Sequence, residues 1–212
     1  MTDLKTDYIQ NLHAVETPDM IAARKRIHDN DFPIHVTPMD GRILQVLVRM
    51  ADIKTCVEIG TLGGYSSLWI ADALPEDGHL YTCEHDEKRL KLAEATLGSR
   101  QNTTIVKGDA NETLPALAEQ HGPFDMIFID ADKISYLNYL DWAEKNIRKG
   151  GLIVADDTLL KGSVYMHELP YRVRASTRDQ LKEFNIRLAD TKKYDSIIIP
   201  TVAGLSIAVK RF

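Results

Sequence analysis

The sequence predicts an α/β fold: a Rossmann-like, seven-stranded, mostly parallel sheet with one antiparallel strand and helices on both faces. Three observations predict it. From Cys56 onward, short apolar runs alternate with helix-length segments, the pattern of right-handed crossovers feeding a parallel sheet. The last two apolar runs are joined by Pro200 to Ala203 alone, too short for a crossover helix, so they are antiparallel neighbours. With 212 residues, 44% of them hydrophobic, the chain can build one such core.

The elements follow in order. Thr17-Pro18 and Thr37-Pro38 each pair a hydroxyl cap with a proline in the first turn, predicting helices over 17–29 and 37–51. A strand at 56–59 leads through a glycine-rich turn to a helix over 64–74. Pro75-Glu76-Asp77-Gly78 turns the chain into a strand at 79–84, and a helix over 86–97 ends near Gly98. A strand at 103–107 precedes a helix over 111–120, stopped by Gly122-Pro123. A strand at 124–130 precedes a helix over 134–147, and Gly150-Gly151 opens a strand at 152–155. A loop over 158–174 leads to a helix over 175–189 and to strands near 194–199 and 204–210.

Composition narrows the function. Net charge is 26 − 31 = −5, which disfavours a broad nucleic-acid footprint, because phosphate contacts need clustered Lys and Arg. The candidates for a local basic patch are Arg24-Lys25-Arg26 and the stretch from Arg172 to Arg178. Solvated helix and loop faces are the plainer reading of both. There is no apolar run of membrane-spanning length and no signal-peptide pattern at Met1-Thr2-Asp3-Leu4-Lys5. The two cysteines, Cys56 and Cys83, fall in predicted strands and read as free buried thiols. The expectation is a cytoplasmic protein. The seven histidines show no ligand spacing.

The chemistry concentrates at strand ends. Asp130 closes the apolar run Met126-Ile127-Phe128-Ile129, and Asp156-Asp157 follow Leu152-Ile153-Val154-Ala155. Central parallel strands would bring all three acids to the C-terminal edge of the sheet, where α/β ligands bind. Three converging carboxylates repel one another unless a cation sits among them. Hard oxygen donors suit magnesium first, with manganese or calcium as alternatives.

A nucleoside site is the second expectation. The first strand-to-helix turn reads Gly60-Thr61-Leu62-Gly63-Gly64, after the strand-borne Glu58. Glycines there allow a tight turn and a close ligand, although the spacing is not the dinucleotide fingerprint. Glu84 ends the next strand, where a carboxylate can accept both ribose hydroxyls. Gly108-Asp109-Ala110 follows the third strand; it could place groups beside an adenine ring, and taken alone it is an ordinary turn.

Val57-Glu58-Ile59-Gly60 with Gly64-Tyr65-Ser66, Gly108-Asp109-Ala110, Ile129-Asp130-Ala131-Asp132-Lys133 and Gly150 through Asp157 together resemble the cation-dependent O-methyltransferases. This is the caffeoyl-CoA and catechol O-methyltransferase family, which uses S-adenosylmethionine. The resemblance runs over residues 33–212. It implies that 1–212 is a single methyltransferase domain, with a helical cap region over 1–51 and a cofactor-binding core over 52–212. It implies cofactor contacts at Val36, Glu58, Gly60, Ser66, Glu84, Ala110 and Asp130, and metal ligands at Asp130, Asp156 and Asp157. Lys133 matches the general base of catechol-type members, with charge balance for the acid cluster as its alternative role. A base role requires a lysine pKa drawn toward neutrality. A homodimer is implied by the resemblance alone.

Three departures stand out. The third metal ligand is typically asparagine in the family and is Asp157 here. Lys161 stands where plant members carry a substrate-contacting asparagine, and the final hairpin reads Val202-Ala203-Gly204 instead of Gly-Asp-Gly. These put the acceptor, not the reaction, in question.

The chemistry expected is metal-dependent methyl transfer from S-adenosylmethionine to a hydroxyl of a small catechol-like or hydroxylated aromatic acceptor. The same chemistry on a hydroxylated uridine of tRNA is the alternative, and a non-catalytic nucleoside-binding module ranks below both. Asp132 would face the cofactor or cap the following helix. Tyr136 and Tyr139 would line the acceptor pocket or pack in the core.

Overall fold

A computed structural model describes residues 4–170 and 173–212 of the chain. In chain order the elements are α1 (Leu4–His13), α2 (Pro18–Asp29), α3 (Pro38–Met50), β1 (Thr55–Ile59), α4 (Tyr65–Ala71), β2 (His79–Glu84), α5 (Glu87–Leu97), β3 (Thr103–Lys107) and α6 (Ala110–His121). They continue with β4 (Phe124–Ile129), α7 (Tyr136–Asn146), β5 (Ile147–Ala155), α8 (Ala175–Leu188), β6 (Tyr194–Ile199) and β7 (Leu205–Lys210). Short 3₁₀ turns cover Lys133–Ser135 and Leu160–Gly162. The seven strands are ordered β3-β2-β1-β4-β5-β7-β6, with β7 the one reversed strand. Both the strand count and the reversal match the expectation from sequence.

The chain divides into two compact units, one of residues up to Thr55 with 61–109, the other of 56–60 with 110–212. In the first, both threonine caps form: Thr17 accepts from the Met20 N–H at 3.3 Å and Thr37 from the Asp40 N–H at 3.1 Å. Trp69, Tyr65, Leu44 and Ile27 are fully buried and form its core. The chain between α1 and α2 is strapped down. Glu16 accepts both Nε and a terminal nitrogen of Arg24 at 2.9 Å, and the Tyr65 hydroxyl donates to the same carboxylate at 2.9 Å. Strand β2 pairs in parallel with β3 from Leu80↔Thr103 to Glu84↔Lys107.

In the second unit β4 runs parallel to both β1 and β5. Glu144 on α7 gathers Tyr194, Arg187 and Lys193, which donate to it at 2.7, 3.1 and 3.3 Å. Burial pushes the Glu144 carboxyl up, but these three donors outweigh it and hold the group below the usual glutamate range.

Three boundaries differ from the sequence expectation. Helix α1 was not expected, and it buries no residue, so it leaves no apolar stripe to read. Helix α4 ends at Ala71, because Ala73 and Leu74 both fold back onto the Ile70 carbonyl before Pro75. Strand β5 starts at Ile147, before the glycine pair. An irregularity in its pairing with β4 lets it pass Gly150, at φ 76°, and Gly151, which sits too close to the Asp125 carbonyl for any side chain.

Candidate active site

The acid cluster lies within the second unit. Ile129 and Ala155, the last residues of β4 and β5, face each other in register. Asp130 and Asp156 therefore leave adjacent strand tips at one level. Their backbones are tied in: the Asp156 N–H donates to the Ile129 carbonyl and the Asp130 N–H to the Ile59 carbonyl, both at 2.9 Å. Gly60, at φ 101°, passes so near that a Cβ there would stand 2.0 Å from the Asp130 carbonyl oxygen. This glycine has a reason inside the fold besides any ligand.

Lys133 reaches back into the cluster. Its Nζ lies 3.2 Å from Asp130 Oδ1 and 3.8 Å from Asp157 Oδ2, and donates to the Tyr136 hydroxyl at 2.7 Å. Burial pushes the Lys133 pKa down, but Tyr136, Asp130 and Asp157 outweigh it and hold the amine above the usual lysine range. The resting group is an ammonium ion. In this arrangement the local carboxylates stabilise the charge. Burial lifts the Asp157 carboxyl, Lys133 opposes the lift and Asp130 adds to it, for a net rise. Two carboxylates, Asp130 and Asp157, thus face the single Lys133 ammonium.

Asp157 has φ 54°, a left-handed conformation that Asn and Asp tolerate best. Leu160 and Lys161 share it, at 42° and 54°. This kinked loop is pinned from the final hairpin: the Thr158 N–H donates to the Gly204 carbonyl at 3.0 Å and the Leu159 N–H to the Ala203 carbonyl at 3.1 Å. Lys161 joins Lys133 in opposing the rise of the Asp157 carboxyl. Arg172 lies outside the described residues.

The three expected metal ligands are not drawn into one grip. Among the described residues, no three His, Cys, Asp or Glu side chains group closely enough to hold a metal ion. Asp130 and Asp157 share the Lys133 ammonium instead. The donor set still fits a divalent cation chemically: all oxygen, all carboxylate and under-neutralised.

Neighbouring side chains bear on two open alternatives. Asp132 caps the turn after it, its Oδ2 accepting from the Ser135 N–H at 3.2 Å and the Ser135 hydroxyl at 2.6 Å. Tyr136 and Tyr139 are 0% and 3% exposed, so both pack. Tyr139 also borders a cavity of about 270 Å³ between α6 and α7, with Asn111 and Trp142.

In the first unit, Glu84 takes up the turn after β1. One carboxylate oxygen accepts from the His85 and Asp86 N–H groups at 2.9 and 3.0 Å, the other from the Leu62 N–H at 3.0 Å. A carboxylate has about four acceptor sites, so capacity remains for a further donor. Val36 and Ser66, 3% and 7% exposed, belong to this unit. Glu58, Gly60, Ala110 and Asp130 belong to the other, with Glu58 fully buried and Ala110 opening α6.

Comparison with known proteins decides the family. The model of the O-methyltransferase family matches residues 13–211. The chain belongs to the O-methyltransferase family. A catechol O-methyltransferase of Niastella koreensis is 36% identical to this O-methyltransferase, over 95% of the chain and 94% of the relative. Caffeoyl-CoA O-methyltransferase 2 of Zea mays is 34% identical over 79% and 67%. Among solved structures, the O-methyltransferase TomG of Streptomyces achromogenes, in complex with SAM and involved in tomaymycin synthesis, superposes with TM-score 0.89 at 30% identity, covering 100% of both chains.

The tRNA alternative gains nothing here. Those curated relatives are named for catechol and caffeoyl-CoA, and four of the candidate basic residues of this O-methyltransferase are engaged locally. Arg24 pairs with Glu16, Lys25 with Asp29, Arg26 donates to Thr96, and Arg178 pairs with Asp179. Among the described residues, no helix is long and apolar enough to cross a membrane. Sequence reasoning missed the hydroxyl of Tyr136, whose only signal was its three-residue step from Lys133, repeating the step from Asp130 to Lys133.

Proposed function

We propose that this O-methyltransferase moves a methyl group from S-adenosylmethionine to a hydroxyl of a small catechol-like or hydroxylated aromatic acceptor, with a divalent cation held by Asp130, Asp156 and Asp157. The observation that carries the reading is the under-neutralised set of Asp130, Asp157 and Lys133 beside the tips of β4 and β5. Val36, Glu58, Gly60, Ser66, Glu84, Ala110 and Asp130 are the residues we assign to the methyl donor.

The reaction balances simply. A lone pair on the acceptor oxygen attacks the methyl carbon in line with the sulfonium, and the carbon–sulfur pair returns to sulfur. The products are a methyl ether, a neutral thioether and one proton. A cation bound to the three acids would neutralise them, acidify an adjacent acceptor hydroxyl and ease proton loss from Lys133. Lys133 is the catalytic residue: once its resting proton has gone to solvent, the neutral Nζ would receive the proton of the acceptor hydroxyl. Holding that nitrogen in place beside the acceptor is positioning of a kind that supplies several kcal/mol. Two adjacent oxygens on the acceptor match a site built from hard charges, which favours catechols and hydroxy-carbonyl compounds.

The test is a screen of catechols and hydroxycinnamoyl acceptors with S-adenosylmethionine, reading methyl ether and thioether by mass spectrometry. Turnover with magnesium, its loss on full chelation and its return on metal addition are expected. Turnover that survives complete metal stripping would sink the metal-dependent part of the reading.

A further inference from the structure

Tyr136 does more than fill the core. It is fully buried, its ring packed edge-on against Phe184 with centroids 5.3 Å apart. Its hydroxyl accepts from Lys133 Nζ at 2.7 Å, and donates to the Asp156 carbonyl at 2.9 Å, with the Ile129 carbonyl 3.2 Å away. One oxygen therefore meets the lysine, the residue before Asp130 and the backbone of Asp156. A phenol has one hydrogen, and the two carbonyls, which can only accept, take it. The lone pair it presents to Lys133 is then the fixed end of a directional chain: ammonium to phenol to strand tip.

An ammonium ion has three hydrogens. Asp130, Asp157 and Tyr136 surround that of Lys133. The two acids are the groups assigned to a cation, so a bound cation competes with Lys133 for them. Tyr136 is the one of the three whose hold on the lysine no cation contests.

We propose that Tyr136 is a positioning residue for methyl transfer, its hydroxyl fixing Lys133 Nζ against the tips of β4 and β5. This rests on the role given to Lys133 above. Tyr136 touches no substrate and acts through the lysine. Partners of this kind are worth about ten- to a hundredfold in activity.

The experiment is a double-mutant cycle of Tyr136→Phe and Lys133→Met, with kcat, KM for S-adenosylmethionine and urea midpoints measured on each. Tyr136→Phe keeps the ring contacts. It is expected to lower kcat about tenfold or more, with KM for S-adenosylmethionine unchanged, and to have no further effect on kcat once Lys133 is Met. Equal losses in both backgrounds, or an unchanged kcat with Lys133 intact, overturn the positioning role while leaving the lysine assignment standing. A Lys133→Met enzyme with wild-type kcat overturns both. Mass-spectrometric labelling of Lys133 by reductive methylation reads the contact without turnover: faster labelling in Tyr136→Phe is expected, and an equal rate counts against the proposal. If Phe at 136 abolishes the cooperative urea transition, 3-fluorotyrosine at 136 replaces it. That residue keeps ring and hydroxyl but weakens the acceptor, so kcat should fall several-fold, and an unchanged kcat overturns the proposal.

Discussion

Gly60 and Asp130 meet backbone to backbone. A single added carbon at Gly60 would stand 2.0 Å from the Asp130 carbonyl oxygen, and the Gly60 φ of 101° is unfavourable for any other residue. Gly60→Ala combines a steric conflict that no side-chain motion relieves with backbone strain. It should destabilise by about 3 kcal/mol or more. Urea unfolding checks this, and a loss below about 1 kcal/mol would mean the turn relaxes freely.

Glu84 braces three N–H groups with its carboxylate. Glu84→Gln turns one acceptor oxygen into a donor facing donors. A stability loss of about 1.5–3 kcal/mol is expected, with at least tenfold weaker binding of S-adenosylmethionine by calorimetry. Weaker stability with unchanged affinity would restrict Glu84 to the turn.

Asp157 titrates above the usual range, through burial and the charge of Asp130. A carboxyl with a raised folded pKa costs stability once pH exceeds that value, because the folded state resists its ionisation. Asp157→Asn should therefore stabilise the metal-free protein at neutral pH, raising Tm by about 1–2 °C, the shift that about 0.5 kcal/mol gives in a domain this size. On the ligand role proposed for Asp157, it should also raise the magnesium concentration for half-maximal activity. Thermal melts in chelator and a magnesium titration read the two effects.

Glu144 shows the opposite sign. Its folded pKa is depressed by Tyr194, Arg187 and Lys193 against the lift from burial. Its contribution is fully present above the ordinary glutamate value of 4.5 and is lost as pH falls through the lower folded value. Glu144→Gln should cost about 2 kcal/mol at neutral pH and flatten the fall in stability below pH 4.5. Urea midpoints from pH 7 to 3 test it, and parallel curves for the two proteins would refute it.

Much of this was legible in the sequence. The strand-helix alternation, the short Pro200–Ala203 connection and the Thr-Pro caps are local signals, and the sheet, its reversed strand and both capped helices follow them. Asp130 and Asp156 could be placed at strand tips because apolar runs end there. Other features depend on contacts remote in sequence. Strand β5 starts early because its partner strand tolerates an irregularity. Lys133 meets Asp157, 24 positions later, as 157 − 133 gives. Helix α1, with no buried residue, leaves no periodic trace to find.

The tie between Thr158-Leu159 and Ala203-Gly204 joins stretches distant in the chain. A side chain on Gly204 would collide with Leu159. Retuning the enzyme toward other acceptors by altering only the segment after β5 would work against its anchor. Variant libraries should diversify Leu159 to Lys161 and Val202 to Gly204 as one cassette, since a change on either side resets the footing of the other.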